Sequence, residues 1–267
     1  MSWCGSGISV GLADAAAATP QDRADDRQLV EAIGSEVPIA ATCAAHAQGF
    51  GVCRRWQAGP SDASDRSTMT LPKLNPKDVV LVRHGETTWS RSGQHTGLTD
   101  IPLTDAGEAE AKLLAPLLAT EPFARVLVSP LQRARRTCEL AGLGDQAVVD
   151  ADLVEWNYGA FEGLTTEEIH HRAPGWQVFA HGCPEGESPQ QVAERVDRVL
   201  ARLRADDPQG PAILFAHGHF LRMVAARWLE LPPQEGARFL LDTATLNVLS
   251  HYRGVAALKC WNAQVAP

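Results

Sequence analysis

The sequence predicts a layered α/β domain, and three observations carry that prediction. The runs Val79-Val80-Leu81-Val82 and Ala212-Ile213-Leu214-Phe215-Ala216 are unbroken and apolar, as strands buried on both faces are. Both lead within two residues into a histidine-glycine pair, His84-Gly85 and His217-Gly218. From residue 78 onward such runs alternate with helix-period segments, the order that builds helices against a sheet.

Taken in order, residues 1–68 stand apart. They are rich in Ala, Gly, Ser and Asp and sustain no helix or strand period beyond a short pattern from Leu29 to Ile33. Asp14 interrupts the first apolar stretch and no basic residue precedes Arg23, unlike a secretory signal. The run from Val37 to Cys53 is too weakly apolar to span a membrane. The segment is expected to be a disordered N-terminal extension or an over-extended gene start. Met69 would then open a domain of 199 residues, 69–267.

The first strand ends at Arg83-His84, with Gly85 for a tight turn, and a long loop is expected from Trp89 to Pro102. A helix follows from Asp105, capped by Thr104, with Ala109, Leu113 and Leu117 on its apolar face and Pro116 to kink or end it. The strand Arg125 to Ser129 runs into Ser129-Pro130, where serine caps a helix and proline takes its first position. Gly142 marks the stop, and Arg133 falls in the first turn. A strand at Ala147 to Val149 precedes the segment from Leu153 to Gly163. Thr165 and Glu168 form a capping box, and the helix after Ser188-Pro189 buries Val192, Val196, Val199, Leu200 and Leu203. The strand Ala212 to Ala216 feeds a helix from Phe220 to Leu231. A terminal hairpin turns at Arg253-Gly254 between Leu246 to Tyr252 and Val255 to Trp261.

With 45% hydrophobic residues the chain can fill a core. A formal charge of -8 and a pI near 5.6 argue against general nucleic-acid binding, which needs a basic face. A local basic pocket can still receive an anion. The 6 cysteines form no C-x-x-C pair, which points to reduced thiols in a cytoplasmic protein rather than a zinc ribbon or a disulfide framework.

Ligands of open α/β sheets collect beyond the carboxyl ends of the strands, where His84 and His217 fall. Two chemistries suit histidines so placed. In one, His84, His217 and His219 ligate a divalent metal. In the other, a histidine attacks phosphorus and its neighbours hold the phosphoryl group. Arginine separates the two: Arg83 beside His84 and Arg133 at a helix start would repel a dication but fork onto phosphate oxygens. No cluster of aspartates accompanies the histidines, as a metal-phosphatase site requires. His181-Gly182 is a pair of the kind composition alone supplies.

Four motifs in order resemble the histidine phosphatase superfamily. They are Val-Arg-His-Gly-Glu-Thr at 82–87, Ser-Pro-Leu-Gln-Arg-Ala-Arg-Arg-Thr at 129–137, Glu155 ahead of Tyr-Gly-Ala-Phe-Glu-Gly at 158–163, and His-Gly-His at 217–219. The resemblance implies a three-layer sandwich with a mostly parallel central sheet flanked by helices, phosphoglycerate-mutase-like. It also implies a phosphomonoester hydrolase that forms a covalent phosphohistidine on a small phosphorylated metabolite, with no metal or other cofactor. His84 would be the nucleophile, and Arg83, Arg133 and His217 would surround the phosphate. Glu155 would protonate the leaving alkoxide and then deprotonate water, so it must start protonated and the rate should fall above neutral pH. By position in the family, Ser90, Thr96 and Gly97 would line the phosphate loop, and Gln94 and His95 would reach the rest of the substrate. Gly218 and His219 would follow at the helix start, His219 touching substrate or capping. Glu162 would be a backbone partner, and Arg135 and Arg136 would lie on a solvated face or in local ion pairs.

Mutases of the family carry an arginine after the donor glutamate and a further arginine pair in a longer insertion. Here Trp156 follows Glu155, and Arg172 is the only arginine between Tyr158 and Ser188. Hydrolysis is therefore expected over transfer. Glu-Trp-Asn-Tyr-Gly at 155–159 and His-Gly-Cys-Pro-Glu-Gly-Glu-Ser at 181–188 resemble bacterial broad-specificity acid phosphatases. Phosphoglycerate mutases, sedoheptulose-bisphosphatase-like enzymes and non-catalytic phospho-ligand binders are the alternatives. Trp156, Tyr158 and Phe161 offer either an apolar wall for an aryl or sugar leaving group or ordinary core. No nucleic-acid or membrane partner is expected, and a homodimer is left open.

Overall fold

The computed structural model describes residues 71–205 and 209–265. The expectation for residues 1–68 lies outside them. Six strands form one sheet in the order β3-β2-β4-β1-β5-β6. They are β1 Val79–Arg83, β2 Arg125–Val128, β3 Ala147–Val149, β4 Ala212–Ala216, β5 Leu246–Tyr252 and β6 Val255–Ala263. The first four pair in parallel, and the hairpin β5-β6 adds an antiparallel edge. Its turn places Arg253 and Gly254 at φ of 52° and 85°, the left-handed pair that a tight hairpin uses.

The helices are α1 Thr88–Ser92, α2 Asp105–Leu118, α3 Gln132–Leu140, α4 Thr166–Arg172, α5 Val178–His181, α6 Pro189–Ala205 and α7 Gly218–Trp228. Alternation along the two central strands divides the core. Val80, Val82, Ile213 and Phe215 pack with α2 and α3, whereas Val79, Leu81, Leu214 and Ala216 pack with α6 and α7. Both faces are covered, which is why β1 and β4 carry no polar residue within their runs. The architecture is the expected three-layer sandwich. No helix among the described residues is long and apolar enough to cross a membrane.

Several local expectations shift. Helix α2 buries Gly107, Ala111, Leu114 and Leu118 rather than Ala109, Leu113 and Leu117, and it continues through Pro116 to Leu118. Helix α3 starts at Gln132, two residues after Pro130: Ser129 Oγ receives the Leu131 N–H at 3.3 Å, and Asp100 Oδ1 accepts the Gln132 N–H at 2.8 Å. The loop expected from Trp89 holds a one-turn helix, α1, capped by Thr87 and closed by Gly93. Helix α7 begins at Gly218 with His217 at its N-cap, and it ends at Trp228, short of Leu231. Gly85 has no left-handed φ; a side chain there would meet the Gly107 carbonyl oxygen of α2 at 2.3 Å, so close backbone approach is what demands glycine. The Thr165–Glu168 capping box, the α6 stripe and the stop at Gly142, with φ of 81°, appear where the sequence placed them.

Chain order decides what meets. Strand β4 inserts between β2 and β1, with Ala216 beside Arg83 and Phe215 beside Val128. The next residues, His84, His217 and Ser129, therefore leave the sheet side by side at its carboxyl edge.

Candidate active site

A cavity of about 260 Å³ opens at that edge, near the lower limit for small-ligand sites. It is lined by Arg83 and His84, by Glu155, Tyr158, His219 and Arg222, and by Ser90, Gln94, His95 and Thr96 from the segment 90–96.

His84 is 4% exposed, and its Nδ1 lies 2.8 Å from the Gly85 carbonyl oxygen. A carbonyl only accepts, so Nδ1 carries the proton and donates, and Nε2 keeps its lone pair. Burial first, then the charges of Arg133 and Arg83, hold the imidazole well below the ordinary histidine pKa, so the ring is neutral at pH 7. A neutral, oriented imidazole with a free lone pair is a competent nucleophile.

The arginines differ in how they are held. Arg83 Nη1 donates to the Leu241 carbonyl at 2.6 Å. Its Nε is buried and, among the described residues, without a hydrogen-bond partner. Arg133 is fully buried. It donates to the carbonyls of Thr96, Gly97 and Thr99 and, through Nε at 3.2 Å, to His217 Nδ1. It clasps the 96–99 loop while presenting a fixed positive charge. His217 in turn lies 2.7 Å through Nε2 from Ser129 Oγ, so neither of its nitrogens is free to bind a metal. Its ring centroid is 5.2 Å from that of His84.

Glu155 sits at the N-terminus of α7. Its Oε1 accepts the N–H groups of Trp156 at 2.8 Å and Phe220 at 2.9 Å, and its Oε2 accepts that of His219 at 3.0 Å. Beneath it, Arg195 donates to the Glu155 carbonyl and pairs with Glu187. The His219 ring nitrogen Nδ1 is 2.5 Å from the Tyr158 hydroxyl, and its ring stacks parallel to His95 at 5.9 Å.

Of the residues singled out from sequence, Arg83, His84, Glu155, Ser90, Gln94, His95, Thr96, Gly218 and His219 line the cavity. Ser90 Oγ also closes the α1 capping box. Arg133 and His217 do not line the cavity; the His217 ring, held by Arg133, lies 5.2 Å from that of His84. Gly97 does not reach the cavity: its N–H donates to Glu162 Oε1 at 2.9 Å and its Cα faces Glu162 and Trp156. Glu162 is thus the backbone partner expected, accepting from Thr99 as well. Arg136 pairs with Glu108 and Glu139 on the surface. Of the three aromatics only Tyr158 borders the cavity; Trp156 and Phe161 are core.

Two residues went unread. Ser129 follows β2 as His84 follows β1, but its place before proline read as a helix cap. Arg222 lies one helical turn after Gly218, on the same face of α7, and that spacing was the available signal.

The sequence profile of the Histidine phosphatase superfamily (branch 1) matches residues 79–264. An acid phosphatase of Mycobacterium tuberculosis is 42% identical over 184 residues, covering 67% of this chain and 89% of the relative. The sedoheptulose 1,7-bisphosphatase of Saccharomyces cerevisiae is 37% identical over 195 residues, covering 62% and 72%. Among solved structures, an open reading frame product of Mycobacterium tuberculosis superimposes with a TM-score of 0.67 at 40% identity, over 71% of this chain and 98% of that one. The mycobacterial glucosyl-3-phosphoglycerate phosphatase, solved in complex with VO3, gives a TM-score of 0.64 at 30% identity, over 70% and 99%.

Proposed function

The chain belongs to the histidine phosphatase superfamily (branch 1), a family of phosphatases and mutases, and from that premise we propose that it hydrolyses small phosphomonoesters through a phosphohistidine at His84. The observation that carries this reading is the hydrogen bond from His84 Nδ1 to the Gly85 carbonyl, which reserves Nε2 for attack.

Nε2 attacks phosphorus and the ester P–O bond breaks. The departing alkoxide takes a proton from Glu155, on the Oε2 side where a single backbone N–H donates. Water then attacks the P–N bond, gives a proton to Glu155, and frees inorganic phosphate and neutral His84. Arg83, whose Nε has no partner among the described residues, and the buried charge of Arg133 stabilise the equatorial oxygens in both steps. No metal is needed for that charge, because two guanidiniums supply it. Buried Trp156, standing where mutases of the family carry an arginine, favours hydrolysis over transfer.

The test is a panel of sugar phosphates, phosphoglycerates and aryl phosphates with the wild type and His84→Ala, together with an acid-quench search for an acid-labile phosphoenzyme. Hydrolysis and phosphoenzyme should both vanish in the variant. Equal activity in His84→Ala would overturn the nucleophile, and 2,3-bisphosphoglycerate-dependent transfer exceeding hydrolysis would overturn the phosphatase.

A further inference from the structure

Glu155 stands on a segment that secondary structure does not hold. Between the short 3-10 turns Ala151–Leu153 and Gly159–Phe161 the chain adopts neither helix nor strand. Main-chain groups there need partners from elsewhere, because a buried carbonyl left unpaired is costly. One side chain of α6 meets three of them. Arg195, 7% exposed, donates through Nη1 to the Asp152 and Val154 carbonyls at 2.8 and 2.6 Å, and through Nη2 to the Glu155 carbonyl at 3.3 Å. Its guanidinium also lies over the Phe220 ring, 4.9 Å from the centroid, and the Phe220 N–H is one of the donors to the Glu155 carboxylate.

Glu187 fixes the arginine from the other side. Its two oxygens take Nε at 3.1 Å and Nη2 at 2.9 Å, a fork that sets the plane of the guanidinium. Arginine has five N–H donors, and these contacts use every one, so none is left for a ligand. The same glutamate holds the chain beyond the acid. Its Oε2 accepts the Asn157 N–H at 2.8 Å, its own N–H donates to the Asn157 carbonyl at 2.9 Å, and its carbonyl accepts the Trp156 indole N–H at 2.8 Å. Gly186 permits that approach, since a side chain there would run into the Asn157 carbonyl oxygen. Neither Arg195 nor Glu187 lines the cavity. The segments 155–159 and 181–188, apart in sequence, are thereby joined into one support under the acid.

We propose that Arg195, locked by Glu187, is a positioning residue for the proton donor: by tying down three carbonyls at and before Glu155 it holds the carboxyl where it can reach the leaving oxygen. The inference rests on the reading of Glu155 as the acid. Arg195 touches no substrate, so its effect is read only through what Glu155 does.

The test compares the sugar phosphate that the wild type hydrolyses fastest, whose alkoxide must be protonated as it leaves, with p-nitrophenyl phosphate, whose leaving group departs unprotonated. The quantity is kcat/KM, which runs through P–O cleavage and excludes the later hydrolysis of the phosphohistidine. The ratio of the two values in one preparation cancels any loss of folded enzyme. Arg195→Met should lower the sugar-to-aryl ratio about 10- to 100-fold, the scale of loss when a catalytic group is misplaced by about 1 Å. Arg195→Lys keeps a charge beside Glu187 but carries its donors on one nitrogen, so it cannot fork a carboxylate and hold three carbonyls; the ratio should fall by less. In a Glu155→Gln background neither substitution should lower the ratio further, because no acid remains to be misplaced. A role confined to folding would weaken both activities alike and leave the ratio unchanged. A wild-type ratio in Arg195→Met, or a further fall in the Glu155→Gln background, would overturn the proposal. Where Arg195→Met yields no folded protein, Arg195→Lys decides by the same ratio. A wild-type ratio in Glu155→Gln would sink the acid and the positioning role with it, whereas a ratio that falls in Glu155→Gln but in neither Arg195 variant leaves the acid standing and removes the positioning role.

Discussion

Arg133 Nε donates to His217 Nδ1 across 3.2 Å, and this contact sets the tautomer of a histidine that solvent does not reach. An arginine nitrogen only donates, so Nδ1 must accept. The ring proton then sits on Nε2 and goes to Ser129 Oγ at 2.7 Å. Burial, followed by the Arg133 charge, keeps the ring neutral. A line of Arg133, His217 and Ser129 thereby stands beside His84, the proposed nucleophile.

Ser129→Ala leaves the His217 Nε2–H buried without an acceptor. The cost of such an orphan is about 1–3 kcal/mol, so the melting temperature should drop by several degrees. Thermal denaturation at pH 7 checks this, and an unchanged midpoint would mean that another acceptor takes the proton.

The fold should lose stability in mild acid. His84, His217 and His219 are each held well below the model-compound value of 6.5, burial being the first cause in every case. Below that pH the unfolded chain takes up protons that the fold refuses. The unfolding free energy therefore falls with pH, by about 1.4 kcal/mol per unit for each histidine, until the folded pKa is reached. Melting curves from pH 8 to pH 5 should show a steepening decline below about 6.5; a flat profile over that window would contradict the burial of neutral rings.

Gly85→Ala pushes a methyl group against the Gly107 carbonyl, 2.3 Å from the position its Cβ would take. Main chain rather than a pliant side chain is in the way, so β1 and α2 must separate. A destabilisation of about 1–3 kcal/mol is expected. Because the Gly85 carbonyl orients His84, kcat should fall as well. A variant with full activity and an unchanged melting point would show that the two backbones can part freely.

Glu155→Gln tests the proton donor. It removes the acid and sets an amide against the main-chain donors at the head of α7. Alkyl phosphates need the acid more than p-nitrophenyl phosphate, whose leaving group departs unprotonated. The loss of kcat/KM should therefore be at least about 10-fold greater on a sugar phosphate than on the aryl ester. Parallel losses on the two substrates would assign Glu155 to positioning instead.

How far the sequence could be read follows from particular residues. The runs at β1 and β4 were legible because strands covered on both faces tolerate no polar residue, and the α6 stripe because one face alone is buried. The apolar face of α2 was not. Leucine pairs at 113/114 and 117/118 make two stripes of four-residue spacing offset by one residue, and only packing against the sheet selects the second. Ser129-Pro130 likewise satisfies a helix-capping pattern, but Ser129 Oγ meets buried His217, the residue after β4, and receives only the Leu131 N–H before the helix starts at Gln132.

By itself the sequence determined the strand and helix order and placed His84, Arg83 and His217 at strand ends, while Glu155 was found only through the resemblance of its motif to a family. Local chemistry suffices for the strand ends, since each is written in contiguous residues. Only the tertiary structure decided which of these residues line the cavity and which do not, which nitrogen of His84 and His217 carries the proton, and that Arg222 joins the lining. Those depend on β4 threading between β1 and β2 and on carbonyls from distant segments, Gly236 and Ala237 among them, that hold the side chains in place. No local pattern encodes a partner that arrives from another part of the chain.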